Sequence, residues 1–587
     1  MHATLIQDNS HLIESLTDIK DKLTAATEQQ HTASQSAQNF CHYLALKQQI
    51  TSSPLDKLLH DAGLSLDAIS THVMFALEQN IRVLSTNTDN TLATLSQKQH
   101  GKVTPSQATE ILNNNRQYFF NSRSAERKTA IMATLPNETA WNEELVADLL
   151  TQGMNAARID CNVDDHGIWR NMISNINVAR KRTGKPCAIF MDIPSYQHRT
   201  IIKPTTQESI KIKPEYDNQT ALPTPIIFHT KDCYESNLQL DIDYQIKISH
   251  DALTSFQDGD RLFFIDGNQK KRFISLRKIV DNQVWVGHCW KKTTLSKTIE
   301  IELQRQNADE EYETIKTFSI DAIQNQPTAY QLRKKDRLVL NNNVEHNKEE
   351  NAYVCISCST PDITKKLTIG QTVWFDNGKI GGYVESIESY GTIIQITHAK
   401  KNGSKLRHNR TINFPGLELD LPFNHYVDTK QFDFICQHAD IIGISIENQQ
   451  QLLQLCDELK KRDIQNKKLI IKISHKSTVS HLPEIILTSL SHHPFCVMLD
   501  HEELLIELGA IQYAQLQHDI INQCRAAHTP IMSTEKMVAH LSRKGTTSRQ
   551  ELYDAIRETK DCVLLEKGPY LATAVETLDY ALKITNQ

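Results

Sequence analysis

Residues 467–475 read KKLIIKISH, and the reading of this stretch decides the fold. Leu469, Ile470, Ile471 and Ile473 form a short apolar run interrupted once, by Lys472. A run this short, rich in β-branched residues and followed by polar ones, predicts a buried strand of a parallel sheet. A lysine inside such a run is costly unless its ammonium has a partner or a task. Two readings are open for Lys472. It snorkels to water at the strand end, or it points into the mouth where barrel enzymes keep their chemistry.

Outward from that strand, residues 413–587 keep one rhythm. The runs ADIIGISI, KKLIIKIS, FCVMLD, TPIMST and DCVLLEK alternate with helical stretches such as QQLLQLCDELKKR and LATAVETLDYALKITN. Residues 127–198 show the same alternation with KTAIMATLP, NAARIDCN and PCAIFMDIPS. Strand–helix alternation at this spacing implies βαβ units and a parallel sheet. Three strands before an interruption and five after it make the eight of a (β/α)8 barrel. The fold class is therefore α/β, a TIM barrel interrupted after its third strand. The interruption, residues 199–412, is rich in turns and β-branched residues and reads as an all-β insertion of one or two small barrels. Within it, 305–351 is polar and charged and is expected to be loop. Residues 1–123 read as a helical extension in which nothing carries chemistry, with 85–102 as a mobile link.

Composition narrows the function. The chain has 587 residues and a net charge of -6, which gives no reason to expect nucleic acid. Its 12 cysteines are scattered through apolar runs, which suits reduced thiols and a cytoplasmic location better than a disulfide framework. The pair Cys355–Cys358 lacks a second pair, so strand alternation explains it better than zinc. No apolar run reaches membrane-spanning length, and the N-terminus lacks a signal peptide's apolar core.

The motifs add a resemblance. RKTAIMATLP (127–136), GMNAARIDCN (153–162), KRTGKPCAIFMD (181–192) with Arg199-Thr200, INFPGLELDLP (412–422) and KDCVLL (560–565) occur in the order and spacing of pyruvate kinases. The helical extension, FDNGKIGG (375–382) and the KGPY turn (567–570) resemble a long bacterial form that lacks the family's usual C-terminal domain. The insertion is about twice the family's usual length. The resemblance implies phosphoryl transfer between phosphoenolpyruvate and ADP with Mg²⁺ and K⁺, chemistry that rests on charge neutralisation and positioning.

By that resemblance Lys472 matches the lysine that contacts the transferring phosphoryl group, and Arg158 matches the phosphate-binding arginine of strand two. Arg199 falls on the substrate- and nucleotide-binding side. Asp192 matches a ligand of the monovalent cation, with Asp160 and Asn162 as oxygen donors beside it. Glu503 keeps the carboxylate of a Mg²⁺ ligand, one methylene longer. Other positions depart from the family pattern. Ser474 stands where the family has a metal-binding glutamate, and a hydroxyl lacks the charge a hard divalent cation needs. Glu502 and Leu505 replace two glycines, Glu535 adds a carboxylate after Thr534, Gln197 replaces a lysine, and Val163 replaces a histidine. These changes imply impaired turnover. The alternative function is that of a catalytically degenerate paralogue, a pseudoenzyme acting as a binding or regulatory protein. In that reading the N-terminal helices mediate homo-oligomerisation or hold a protein partner. The acidic residues Asp192, Glu502, Glu503, Glu535 and Glu566 are expected to turn outward at a solvated mouth rather than form a new metal site.

Overall fold

The computed structural model describes residues 2–28, 34–51, 67–86, 102–120, 127–161, 166–194, 197–202, 205–213, 215–217, 220–222, 224–230, 244–278, 284–307, 311–325, 329–341, 353–417, 429–464, 467–534, 539–549, 551 and 561–584. It divides into two compact units, one of residues 1–196 with 418–587 and one of residues 197–417.

Among the described residues, the first unit is built on eight parallel strands that close into a barrel. They are β1 (Ala130–Thr134), β2 (Ala156–Ile159), β3 (Ala188–Asp192), β4 (Ile441–Ser445), β5 (Lys468–Ile473), β6 (Phe495–Leu499), β7 (Ile531–Ser533) and β8 (Cys562–Leu565). Closure runs through β8 beside β1, with Ala130 opposite Cys562 and Met132 opposite Leu564. Successive side chains on a strand point to opposite faces, so each strand feeds two cores. On β5, Leu469, Ile471 and Ile473 face outward into the layer shared with the helices. Ile470 faces the barrel interior with Met132, Phe190, Ile441, Met498, Met532 and Leu564.

Local chemistry sets the helix ends. Asn142 accepts a hydrogen bond from Leu145 N at 3.2 Å to cap Glu143–Thr151, and Asn448 accepts from Gln451 N at 3.0 Å to cap Gln449–Lys461. Gly153 follows the first of these helices at φ +117°, a conformation open to glycine. A Cβ there would also meet Asp579 Oδ1 at 2.7 Å.

The N-terminal helices are part of this unit's packing. Helices His2–Glu28, Gln35–Thr51 and Val73–Thr86 share a core of Leu16, Leu23, Leu46, Val73 and Leu77. Asn39 ties them to the barrel. Its side-chain amide donates to Ser70 O at 2.9 Å and Ala526 O at 2.8 Å, and its oxygen accepts from Val73 N at 2.9 Å. The helix Pro105–Phe120 ends in Phe119 and Phe120, which join the interior cluster of the barrel. Ala130, Ala156 and Ala188, small side chains at the strands' N-terminal ends, belong to the same cluster and leave room for the two rings. The link expected at 85–102 lies almost wholly outside the described residues.

The second unit contains, among the described residues, a nine-stranded sheet and a closed barrel of seven strands. The polar segment 305–351 differs from its expected loop. It carries the strands Tyr312–Ser319, Ala322–Asn325, Tyr330–Leu332 and Arg337–Asn341. Tyr312–Ser319 lies at a sheet edge, where its outward residues stay in water, so a polar sequence costs nothing there. No helix among the described residues is long and apolar enough to cross a membrane.

The aromatic plug gives a test of this packing. Phe120→Ala is expected to lower unfolding free energy by about 3–5 kcal/mol in a urea melt, because the ring is fully buried and the rigid barrel cannot collapse into the space.

Candidate active site

The last inward-facing layer of the barrel is polar. Thr134, Arg158, Asp192, Ser445 and Lys472 occupy the C-terminal ends of β1 to β5. The register places Thr134 beside Arg158, and Ser445 beside Lys472. These ends are inward because they continue the alternation of Met132, Ala156, Phe190, Gly443 and Ile470.

Asp192 lies at the centre of this layer. Its side chain is fully buried, and its Oδ2 accepts from Arg158 Nη2 at 2.8 Å. Lys472 Nζ stands 3.6 Å from the same oxygen, an ion pair longer than a hydrogen bond. Arg158 also contacts Thr134 Oγ1 at 3.4 Å and approaches Asp160 at 3.8 Å. Burial opposes the Arg158 charge, but Asp192, Asp160 and Glu566 outweigh it and hold the guanidinium pKa above its ordinary value. Burial likewise pushes the Asp192 carboxyl up, and Arg158 and Lys472 outweigh it, so the group sits below the usual carboxylate range. Lys472 is 7 % exposed, which decides between its two readings: it does not snorkel to water.

Gly443 on β4 makes this centre possible. A Cβ there would stand 2.4 Å from Phe190 Cζ and 3.0 Å from Asp192 Cβ. The position lacks a side chain so that Phe190 can fill the interior and Asp192 can sit above it.

The acidic residues expected to turn outward divide. Asp192 contradicts the expectation, because two inward cations hold it inside. Glu502 is exposed and Glu503 half-buried in the first turn of the helix His501–Leu508, which Asp500 caps by accepting from Glu503 N at 3.3 Å. Glu566 acts on Arg158 through its charge. Asn162, Val163 and Glu535 lie outside the described residues. Arg199 belongs to the second unit, where its guanidinium donates to Asn409 O at 3.1 Å and Gln197 Oε1 at 2.7 Å.

Fit to the metals can be judged from the donors. Ser474 is buried and its hydroxyl donates to Ser445 Oγ at 3.4 Å. Among the described residues no group of three or more His, Cys, Asp or Glu side chains could hold a metal ion. Mg²⁺ takes an octahedral oxygen shell with carboxylates, and Ser474 offers a hydroxyl to such a shell rather than a carboxylate. Asp192 Oδ1 is different. It is buried with no hydrogen-bond partner among the described residues, and it fits one oxygen ligand of a monovalent cation.

Ser445, Gly443 and His475 escaped the sequence reading. For the first two the signal was available: they share the alternation of β4 opposite Asp192 and Lys472. His475 had none. Burial lowers its pKa to about 4, with Asp500 opposing and Lys472 adding to the shift.

Comparisons with known proteins agree with this geometry. Residues 314–574 match the family model for the pyruvate kinase barrel domain. Among curated proteins, the chain is 28% identical over 223 residues to pyruvate kinase PKLR of Rattus norvegicus, covering 36% of this chain and 37% of that protein. It is 24% identical over 241 residues to the pyruvate kinase of Geobacillus stearothermophilus, covering 40% of each. It is 28% identical over 221 residues to pyruvate kinase 2 of Trypanosoma brucei brucei, covering 36% of this chain and 42% of that protein. The chain thus spans about two fifths of the length of these curated relatives.

Two outcomes test the site. Asp192→Asn leaves two buried cations without their anion and is expected to cost about 3–5 kcal/mol of unfolding free energy in a denaturant titration. For His475, the folded pKa of about 4 lies below the unfolded value near 6.5. Its contribution to stability is then present above pH ~6.5 and is lost as pH falls toward 4. His475→Gln is expected to flatten that part of the stability profile. Together, the match over residues 314–574 and these relatives make the chain similar to the barrel domain of pyruvate kinases, with which the eight-stranded closure among the described residues is consistent.

Proposed function

We propose that the mouth of the barrel binds a phosphorylated anion, phosphoenolpyruvate by family, and that transfer of its phosphoryl group to ADP is impaired in this chain. The observation that carries the binding half is the convergence of Arg158 and Lys472 on a single carboxylate. Arg158 and Lys472 share Asp192, with Asp160 a further 3.8 Å from Arg158, in a low-dielectric wall where a phosphate that engages the two cations gains more than it would in water. Arg158 offers a planar fork suited to phosphate oxygens and Lys472 a point charge. Asp192 orients both. A potassium ion, when bound, would take Asp192 Oδ1 and supply further positive charge.

The impairment half rests on Ser474. Its hydroxyl is engaged with Ser445, where the family resemblance calls for a carboxylate on a divalent ion. Glu502 and Glu503 add negative charge at the helix N-terminus beside the site, which opposes an anion docking there. The same observation favours a second reading: a cytoplasmic binding or regulatory protein that keeps phosphate recognition without turnover.

Phosphoenolpyruvate titrated into the full chain is expected to bind saturably, and Lys472→Ala to weaken binding about tenfold or more. Pyruvate formation from phosphoenolpyruvate and ADP, with K⁺ and Mg²⁺ or Mn²⁺, is expected to stay at the Lys472→Ala background. Ser474→Glu is expected to raise it. Wild-type turnover well above that background would overturn the impairment. Absence of phosphoenolpyruvate binding would overturn the whole reading.

A further inference from the structure

At the opposite end of the barrel, below the starts of β3, β4 and β5, lies a cavity of about 1000 Å³. That is the upper end of the range for small-molecule sites. Its lining includes the apolar residues Pro186, Cys187 and Ile464. Around them stand five cationic side chains: Arg180, Lys181, Lys185, Lys467 and Lys468. Asp440 and Asp463 are the acidic members of the described lining.

Basic residues at helix ends often serve the helix itself. Arg180 and Lys181 lie in the last turn of His166–Thr183, where they complement the negative end of the helix dipole. That accounts for their sign, but not for three further lysines from other segments meeting them over one concavity. The acids do not balance the set. Asp440 is committed to Arg180 at 2.6 Å and to the backbone N–H of Ile189 at 2.9 Å. Lys185 and Lys467 donate to the neutral carbonyls Thr151 O at 2.7 Å and Ala439 O at 2.6 Å, so their charges remain uncompensated by those bonds. Lys181 is exposed and forms no ion pair among the described residues.

We infer that this cavity is a second anion site, for a small molecule bearing two or more phosphate groups. A single phosphate would leave much of the volume and several of the cations unused, whereas linked phosphates offer more anionic oxygens to them. The apolar lining residues suit the organic part of such a molecule. The site is separate from the barrel mouth, and β5 joins the two. Lys468 opens the strand at the cavity and Lys472 lies near its other end, about 13 Å away at the rise of an extended chain.

Tripolyphosphate and pyrophosphate, titrated by calorimetry into the full chain, serve as probes. Saturable binding is expected, weakened about tenfold or more in Lys181→Ala/Lys467→Ala and retained in Lys472→Ala. Lys181→Ala alone, a change at an exposed side chain that spares the fold, is expected to weaken binding about threefold or more. Far-UV circular dichroism confirms that each variant is folded. Failure of either probe to bind, unchanged affinity in the folded double variant, or loss of binding in folded Lys472→Ala would overturn the site. The last outcome would put the anion in the mouth instead.

Discussion

Two cations buried at the same end of a barrel cannot stand without an anion between them. Asp192 is that anion, and much of the mouth follows from it. The carboxylate binds Arg158 by a charge-assisted hydrogen bond and Lys472 across a longer gap. A buried pair of this kind is weak evidence of net stability, because desolvation absorbs most of the attraction. Its value is positional. It keeps two long, flexible side chains, Lys472 buried and Arg158 largely so, extended toward the mouth. The cost is carried by the barrel wall: Gly443 gives up a side chain so that Phe190 and Asp192 fit.

At the same mouth, the groups that bind a phosphate and the groups that hold a divalent metal are separate matters. Phosphate recognition needs positive charge and a dry wall, and these are present in Arg158, Lys472 and the buried end of β3. Metal-assisted transfer needs carboxylate oxygens arranged around a divalent ion. At Ser474 a hydroxyl is bonded to the neighbouring strand instead. The helix after β6 begins with a capping aspartate and two glutamates, an arrangement that stabilises a helix N-terminus. It is also one that fills, with negative charge, a place suited to binding an anion.

The N-terminal helices matter to the barrel rather than to the mouth. Phe119 and Phe120 occupy the interior at the strands' N-terminal ends, and Asn39 and His528 stitch the extension to the surrounding helices. The starts of β3, β4 and β5 lie at this end too, and there the lining turns basic. Cationic side chains therefore stand at both ends of the barrel, Arg158 and Lys472 in an inward layer of strand residues at one and a set from helix ends and strand starts at the other.

How much of this could be read in advance depends on the range of the interaction. Strand and helix periodicity are local, so β1 to β8 and the interruption after β3 were legible from alternation and spacing. The polarity at 305–351 misled because an edge strand that faces water can be polar and still pair. Lys472 announced itself as a charge in an apolar run, but the run could not say where the ammonium goes, since its partner lies on β3, 280 positions earlier in the sequence. The same limit hid Ser445, Gly443 and the inward turn of Asp192. By itself the sequence determined the elements, their order and the residue types at the strand ends, because these follow from neighbours along the chain. Only the tertiary structure decided which charges meet, which are buried and which face water, because those depend on strands brought side by side by closure of the barrel.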